Sequence, residues 1–253
     1  MGKLVKVKDI VIGEGMPKIC VSLIGQTMEQ LKEEAALLKT SNVDIIEWRV
    51  DFFEHIDSEM VIQALYEIRK VIPDKPLIFT FRSAKEGGER ELETASYFAL
   101  NGAIVETGMA DIIDIELLQE EASIKELVEF AHNKKVAVII SNHEFKQTPP
   151  KEEIIKRLIK AQSLGADLPK MAVMPKNAED VITLLDATNT MKKQYANGPI
   201  ITMAMAGTGS ISRMAGELFG SDVTFAAAKK ASAPGQIPVD QLKKVLEILH
   251  HSL

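Results

Sequence analysis

The chain has 253 residues, of which 46% are hydrophobic and 26% charged, an ordinary balance for a globular protein. Its formal net charge of −6 argues against nucleic acid and anionic membranes as partners. Cys20, the single cysteine, excludes an intrachain disulfide and suits a reducing compartment.

Residues 1–12 alternate lysines with valines and hold no continuous apolar stretch, so no signal peptide is expected. No run approaches the length of a membrane span, and a cytoplasmic protein is expected. Residues 4–7 and 10–12 flank a short turn and predict a β-hairpin. Apolar or alternating runs then recur at 18–23, 44–50, 77–81, 111–115, 136–140, 170–174, 199–203 and 222–226. Amphipathic stretches lie between them at 27–39, 58–71, 89–102, 121–133, 151–164, 178–195 and 212–218. Residues 238–249 close the series, with Leu242, Val245, Leu246 and Leu249 at helical spacing. Cys20 falls inside the first run, where a core thiol fits better than a nucleophile.

Eight strand–helix units with strands apolar on both faces predict an α/β fold, a (β/α)8 TIM barrel preceded by the β-hairpin. An open doubly wound sheet is the alternative. It usually has fewer strands, however, and no Gly-x-Gly-x-x-Gly follows the first run. No linker, low-complexity segment or charge block divides the chain, so residues 1–253 are expected to form a single domain.

A barrel places its chemistry at the C-terminal ends of the strands. Polar residues collect there. Ser22 ends the first strand. Glu47, Arg49 and Asp51 alternate with Trp48 and Val50 on the second, so the three charges share one face. Arg82 ends the third and precedes a loop holding Glu86. Asp114 and Glu116 lie on the fourth, and Ser141, Asn142 and His143 end the fifth. Lys170 lies on the sixth, inside an apolar run bounded by Pro169 and Pro175. Met203, Met205 and Arg213 follow from the seventh, and 229–236 reads as an irregular loop after the eighth.

Lys170 is the most telling of these. A buried ammonium is costly, and burial favours the neutral amine, a nucleophile toward carbonyls. Each residue taken singly also has a plainer reading. Lys170 could sit at a strand end and reach water, and His143 could be a hydrogen-bonded loop histidine. Arg82 and Arg213 could be surface charges, Glu47 and Arg49 a structural pair, Glu86 a solvated acid, and the two methionines core filler. Their gathering at one end of their strands argues for a site.

Nine segments together resemble one family, the type I 3-dehydroquinate dehydratases of the shikimate pathway. They are Val-Lys-Asp-Ile-Val-Ile-Gly (7–13), Glu-Trp-Arg-Val-Asp (47–51), Phe-Thr-Phe-Arg-Ser-Ala-Lys-Glu-Gly-Gly (79–88), Ser-Asn-His (141–143) and Pro-Lys-Met-Ala-Val-Met-Pro (169–175). Ile-Thr-Met-Ala-Met-Ala (201–206), Ile-Ser-Arg (211–213), Phe-Gly-Ser (219–221) and Lys-Ala-Ser-Ala-Pro-Gly-Gln (230–236) complete the set. They run in register along essentially the whole chain.

The resemblance implies a lyase that dehydrates 3-dehydroquinate to 3-dehydroshikimate through an enzyme imine, with no metal and no cofactor. By match of motif, Lys170 would form the imine, His143 would move the protons and Glu86 would assist it. Glu47, Arg49 and Arg82 would contact ring hydroxyls with Ser22 close by, and Arg213 would take the carboxylate. Ser232 and Gln236 would come from a closing loop, and Trp48, Met203 and Met205 would complete the substrate-binding set. A homodimer is expected from the resemblance. Two other readings stay open: a Schiff-base aldolase that uses the glycine loop 207–210 for phosphate, and a catalytically silent metabolite-binding barrel.

Overall fold

The computed structural model describes residues 2–228 and 232–253. Val5–Val7 (β1) and Ile10–Ile12 (β2) pair antiparallel, Val5 opposite Ile12. Eight parallel strands follow: Lys18–Leu23 (β3), Ile45–Arg49 (β4), Leu77–Thr80 (β5), Ile112–Glu116 (β6), Ala137–Glu144 (β7), Leu168–Val173 (β8), Ile201–Ala204 (β9) and Val223–Ala226 (β10). Their order is β10-β3-β4-β5-β6-β7-β8-β9, and a parallel bridge from Ile200 to Ser221 joins the two end strands. The sheet thus curls into the expected barrel.

The helices between strands are Met28–Thr40 (α1), Ser58–Val71 (α2), Thr94–Thr107 (α3), Glu121–Asn133 (α4), Lys151–Ser163 (α5) and Ala178–Gln194 (α6). Ser210–Met214 (α7), Gly216–Phe219 (α8) and Val239–His250 (α9) complete them. Several begin at side-chain caps: Thr27, Asp57 and Asn177 each accept a backbone N–H from the first turn. Outward strand residues such as Ile46, Phe79 and Ile113 pack against helix residues such as Leu65 and Ile104, which form the larger core.

Period-two alternation sorts the barrel interior into levels. The lowest inward residues are Cys20, Ile45, Ile78 and Ile112 on one half and Ile139, Leu168, Ile201 and Val223 on the other, all apolar and buried. Val5, Val7 and Ile12 of the hairpin join this cluster, so the hairpin plugs the N-terminal end of the barrel. One step higher the inward residues are Ser22, Glu47, Thr80, Asp114, Ser141 and Lys170, with only Met203 and Phe225 apolar.

Three expectations need correction. The helix expected at 89–102 begins at Thr94, because Arg90 bridges Ser83 and the Glu89 N–H donates to Asp51, which keeps that stretch extended. The helix expected at 212–218 is instead two short ones that meet at Ala215. The second barrel strand bends into a 3-10 turn at Val50–Phe52, which takes Asp51 off the strand. Residues 229–231 of the irregular loop expected at 229–236 lie outside the described residues.

Candidate active site

A cleft opens at the C-terminal end of the barrel. Lys170 lies on its floor. Its Nζ is 3.2 Å from Asp114 Oδ2 and 3.6 Å from Glu47 Oε1, and 4.6 Å from the centre of the Phe225 ring. Lys170 is buried, so the plainer reading of a lysine reaching water does not apply. Neither does burial act alone, since two carboxylates accompany the amine.

Those carboxylates are themselves tied across the barrel. Glu47 accepts from Ser22 Oγ at 2.6 Å and from Thr80 Oγ1 at 3.0 Å. Asp114 accepts from Ser141 Oγ at 2.6 Å and from Arg82 Nη2 at 2.8 Å. Burial would raise Asp114, but Arg82 and Lys170 outweigh it and hold its carboxyl below the usual range. Arg82 also donates to Glu116 and Ser141, both at 3.0 Å, and lies 3.6 Å from Glu86. Burial opposes its charge, yet Asp114, Glu116 and Glu86 drive its pKa well above the ordinary arginine value. Arg82 therefore lines the cleft and also anchors this acid cluster.

His143 is reached through Glu86. Its Nδ1 lies 3.0 Å from Glu86 Oε2, and its backbone N–H donates to the same oxygen at 2.9 Å. Glu86 sits in a one-turn 3-10 segment ended by Gly87 at φ +82°, where an added Cβ would strike the Phe145 ring. Burial pushes Glu86 up to about 8 against the pull of Arg82. Burial, then the cations Arg82, Lys170 and Arg49, hold the His143 imidazole well below its usual range, so it stays neutral and able to take a proton.

Two arginines keep donors in reserve. Arg49 grips Asp51 with Nε and Nη2, both at 2.7 Å, and its Nη1 has no partner among the described residues. Arg213, 1% exposed, has only Met203 Sδ at 3.5 Å and the carbonyls of Phe225 and Pro234 at 3.4 and 3.3 Å. Its Nε has no partner among the described residues. Burial alone lowers it to about 10, the mark of a cation set in the interior without a carboxylate.

The loop after β10 roofs this corner. Ser232 Oγ donates to Ser22 Oγ at 3.0 Å, and Gln236 holds the Ser232 N–H and hydroxyl at 2.9 and 3.0 Å. Gly235 at φ +78° lies against the Ala206 carbonyl, where a Cβ would clash.

Of the residues expected from sequence, Lys170, His143, Glu86, Glu47, Arg49, Arg82, Met203, Met205, Arg213, Ser232 and Gln236 all line one cleft. Ser22 stands behind it and touches the roof through Ser232. Trp48 is a correction. It points outward into the helix layer, fully buried and edge-on to Phe53 and Phe79, and touches no part of the cleft. Phe145 and Phe225 also line the cleft and were not expected there. The alternation that turns Val223 inward would have placed Phe225. The glycine loop 207–210 is not among the described residues that line the cleft, so it is not placed to hold a phosphate there.

A parallel barrel holding a lysine amine between carboxylates on the floor of a cleft defines a class, the enzymes that work on carbonyl compounds through an imine. A family model for the type I 3-dehydroquinases matches residues 19–253. The 3-dehydroquinate dehydratase of Bacillus licheniformis is 61% identical over 254 residues, covering 100% of both chains. That of Listeria monocytogenes is 58% identical over 251 residues, covering 99% of each. A crystal structure of the type I 3-dehydroquinate dehydratase from Clostridium difficile, with covalently modified comenic acid, matches with a TM-score of 0.98 at 55% identity over 100% of both chains. The chain belongs to the type I 3-dehydroquinase family. It is a hydro-lyase of the shikimate pathway that dehydrates 3-dehydroquinate through a lysine Schiff base.

Proposed function

We propose that Lys170 forms the Schiff base and that His143 carries the protons, with Glu86 holding His143 in place. The Lys170 amine attacks the substrate ketone and the adduct loses water, leaving a protonated imine. His143 takes a proton from the carbon beside it, and the electron pair flows into the imine as an enamine. The enamine then expels the hydroxyl on the next carbon, and His143 returns its proton to make the departing water. Hydrolysis of the product imine frees Lys170 and 3-dehydroshikimate. Burial first, then Arg82, Lys170 and Arg49, keep His143 neutral, so a ring nitrogen is free to take the proton in the first transfer.

The observation that carries the substrate assignment is Arg213. A buried guanidinium with only carbonyl and thioether partners costs stability unless a ligand completes it, and its planar fork fits a carboxylate. Arg49 Nη1, Glu47 and Arg82 would meet the ring hydroxyls, and Met203 and Met205 the ring itself. Ser232 and Gln236 close over the ligand and keep bulk water out. No metal or organic cofactor enters these steps. The described residues include no helix long and apolar enough to cross a membrane. Composition and the free, buried Cys20 support a cytoplasmic enzyme. Residues 1–253 are read as one domain and, on kinship, as one subunit of a homodimer. Addition of 3-dehydroquinate should produce the ultraviolet absorbance of a conjugated enone. Absence of that signal from folded protein would refute the reading.

A further inference from the structure

Asn142 lies on the strand that carries His143 but faces away from the barrel axis, and it is buried. Its amide joins two groups. Arg157 on α5 donates through Nη1 to Asn142 Oδ1 at 2.9 Å, and Asn142 Nδ2 donates to Glu86 Oε1 at 3.0 Å. A guanidinium has no acceptor, so the amide oxygen must face Arg157 and the amide nitrogen must face Glu86. Arg157 is itself held by Glu153 at 2.8 Å and Glu144 at 3.6 Å, and its side chain is 23% exposed. A polar chain thus runs from the outer surface of α5 through the barrel wall to the His143 ring.

We infer that Asn142 and Arg157 are positioning residues for the proton-transfer step, fixing the tautomer of His143 by way of Glu86. This rests on His143 being the base. An ionised Glu86 can only accept, so it requires a proton on His143 Nδ1 and leaves Nε2 bare toward the cleft. A protonated Glu86 can instead donate to Nδ1, which moves the ring proton to Nε2 and disables the base. The Asn142 amide and the His143 backbone N–H favour the ionised form. Burial and the Glu116 carboxylate oppose it, and Arg82 supports it from the loop after β5. On the ring itself, after burial, act the cations Arg82 from the loop after β5, Lys170 from β8 and Arg49 from β4. Without Arg157 the Asn142 amide is free to turn its oxygen toward Glu86, where it repels the carboxylate and welcomes the acid.

Arg157→Leu should therefore lower kcat about tenfold or more at neutral pH, with KM little changed. The acid limb of its kcat–pH profile should move to higher pH. Arg157→Lys keeps an N–H for Asn142 and should restore most of the rate. Nitrogen-15 spectra of labelled imidazole, recorded near pH 8 where Glu86 ionises and with His143 assigned by its loss in His143→Ala, should show a larger share of the Nδ1–H form in the wild type than in Arg157→Leu, which should hold the Nε2–H form. Asn142→Asp is nearly isosteric, turns an oxygen toward Glu86 and should give the same change of tautomer even if Arg157→Leu does not fold. Unchanged kcat, pH profile and tautomer in these variants, with His143→Ala still slow, would overturn this inference alone. Near-normal turnover in His143→Ala would instead remove the base, and this inference with it.

Discussion

On β6, Ile112 and Asp114 point into the same barrel two residues apart, and on β8 Leu168 and Lys170 do the same. Ile112 and Leu168 belong to the apolar level sealed by the hairpin, while Asp114 and Lys170 belong to the charged level above it. Both levels are buried, so burial does not separate them; what the side chains ask of their neighbours does. The lower level needs only close packing, and each large aliphatic side chain buried there contributes roughly 1.5–3 kcal/mol. The upper level must find a partner for every charge. Asp114, Glu47 and Lys170 do so within the fold, whereas Arg213, which reaches the cleft from α7, is left to an outside ligand. A buried ion network is a weak source of stability, so the upper level is best understood as stability given up for chemistry.

That division can be broken at several points, beginning with the largest effect. His143→Ala should slow elimination by ~10²–10⁴-fold while leaving Lys170 able to condense with the ketone. A borohydride-trapped adduct should accumulate, and its mass tells whether water has been lost. Near-normal turnover would show that His143, the next inward residue on β7 beyond the charged level, is not the base.

Arg213→Ala should weaken substrate binding by about 2–5 kcal/mol, read as a rise in KM, because it strips the partner from a carboxylate. Arg213→Met sharpens the test. It should bind as poorly, yet unfold at a temperature no lower than the wild type, since it removes a buried charge that has no acid partner. A clear drop in melting temperature would mean that the fold needs Arg213 for itself.

Ile139→Ala, in the sealed level, should behave in the opposite way. It should cost ~2–5 kcal/mol of stability in chemical denaturation and leave kcat essentially unchanged below the melting range. A large loss of kcat in folded Ile139→Ala would show that the two levels are not separable.

The smallest effect is a pH dependence. Glu86 rises from 4.5 to about 8 on folding, so its contribution is present at low pH and is lost as pH rises through that span. His143 falls below 6.5 on folding, so below that pH the unfolded chain takes up the proton and stability drops with falling pH. The two slopes oppose each other at acid pH, and the decline from Glu86 should stand alone between 6.5 and about 8. Glu86→Gln should flatten it, as followed by melting temperature across that window.

Much of this was legible in the sequence, for physical reasons that also mark its limits. Buried parallel strands are apolar on both faces, so Lys18–Leu23 stands out directly, and strong amphipathic patterns place α2 and α4 at the expected residues. Alternation put Glu47 and Arg49 on the cleft side, and the same rule turns Trp48 outward, against its inclusion in the binding set. The pairing of Lys170 with Asp114 spans strands that are not neighbours in the sheet, and no local pattern encodes it. The late start of α3 is tertiary in the same sense, since Arg90 and Glu89 are held by Ser83 and Asp51 from other segments. Arg157 is the clearest case. In sequence it is one of many charged residues on an exposed helix face, and only the fold brings it to Asn142.

The most direct test of the central claim is borohydride reduction during turnover, followed by peptide mass mapping. One ligand mass should appear on the peptide containing Lys170, with irreversible loss of activity, and Lys170→Ala should show neither adduct nor turnover. A label on another lysine such as Lys229 or Lys230, or an active Lys170→Ala, would contradict it.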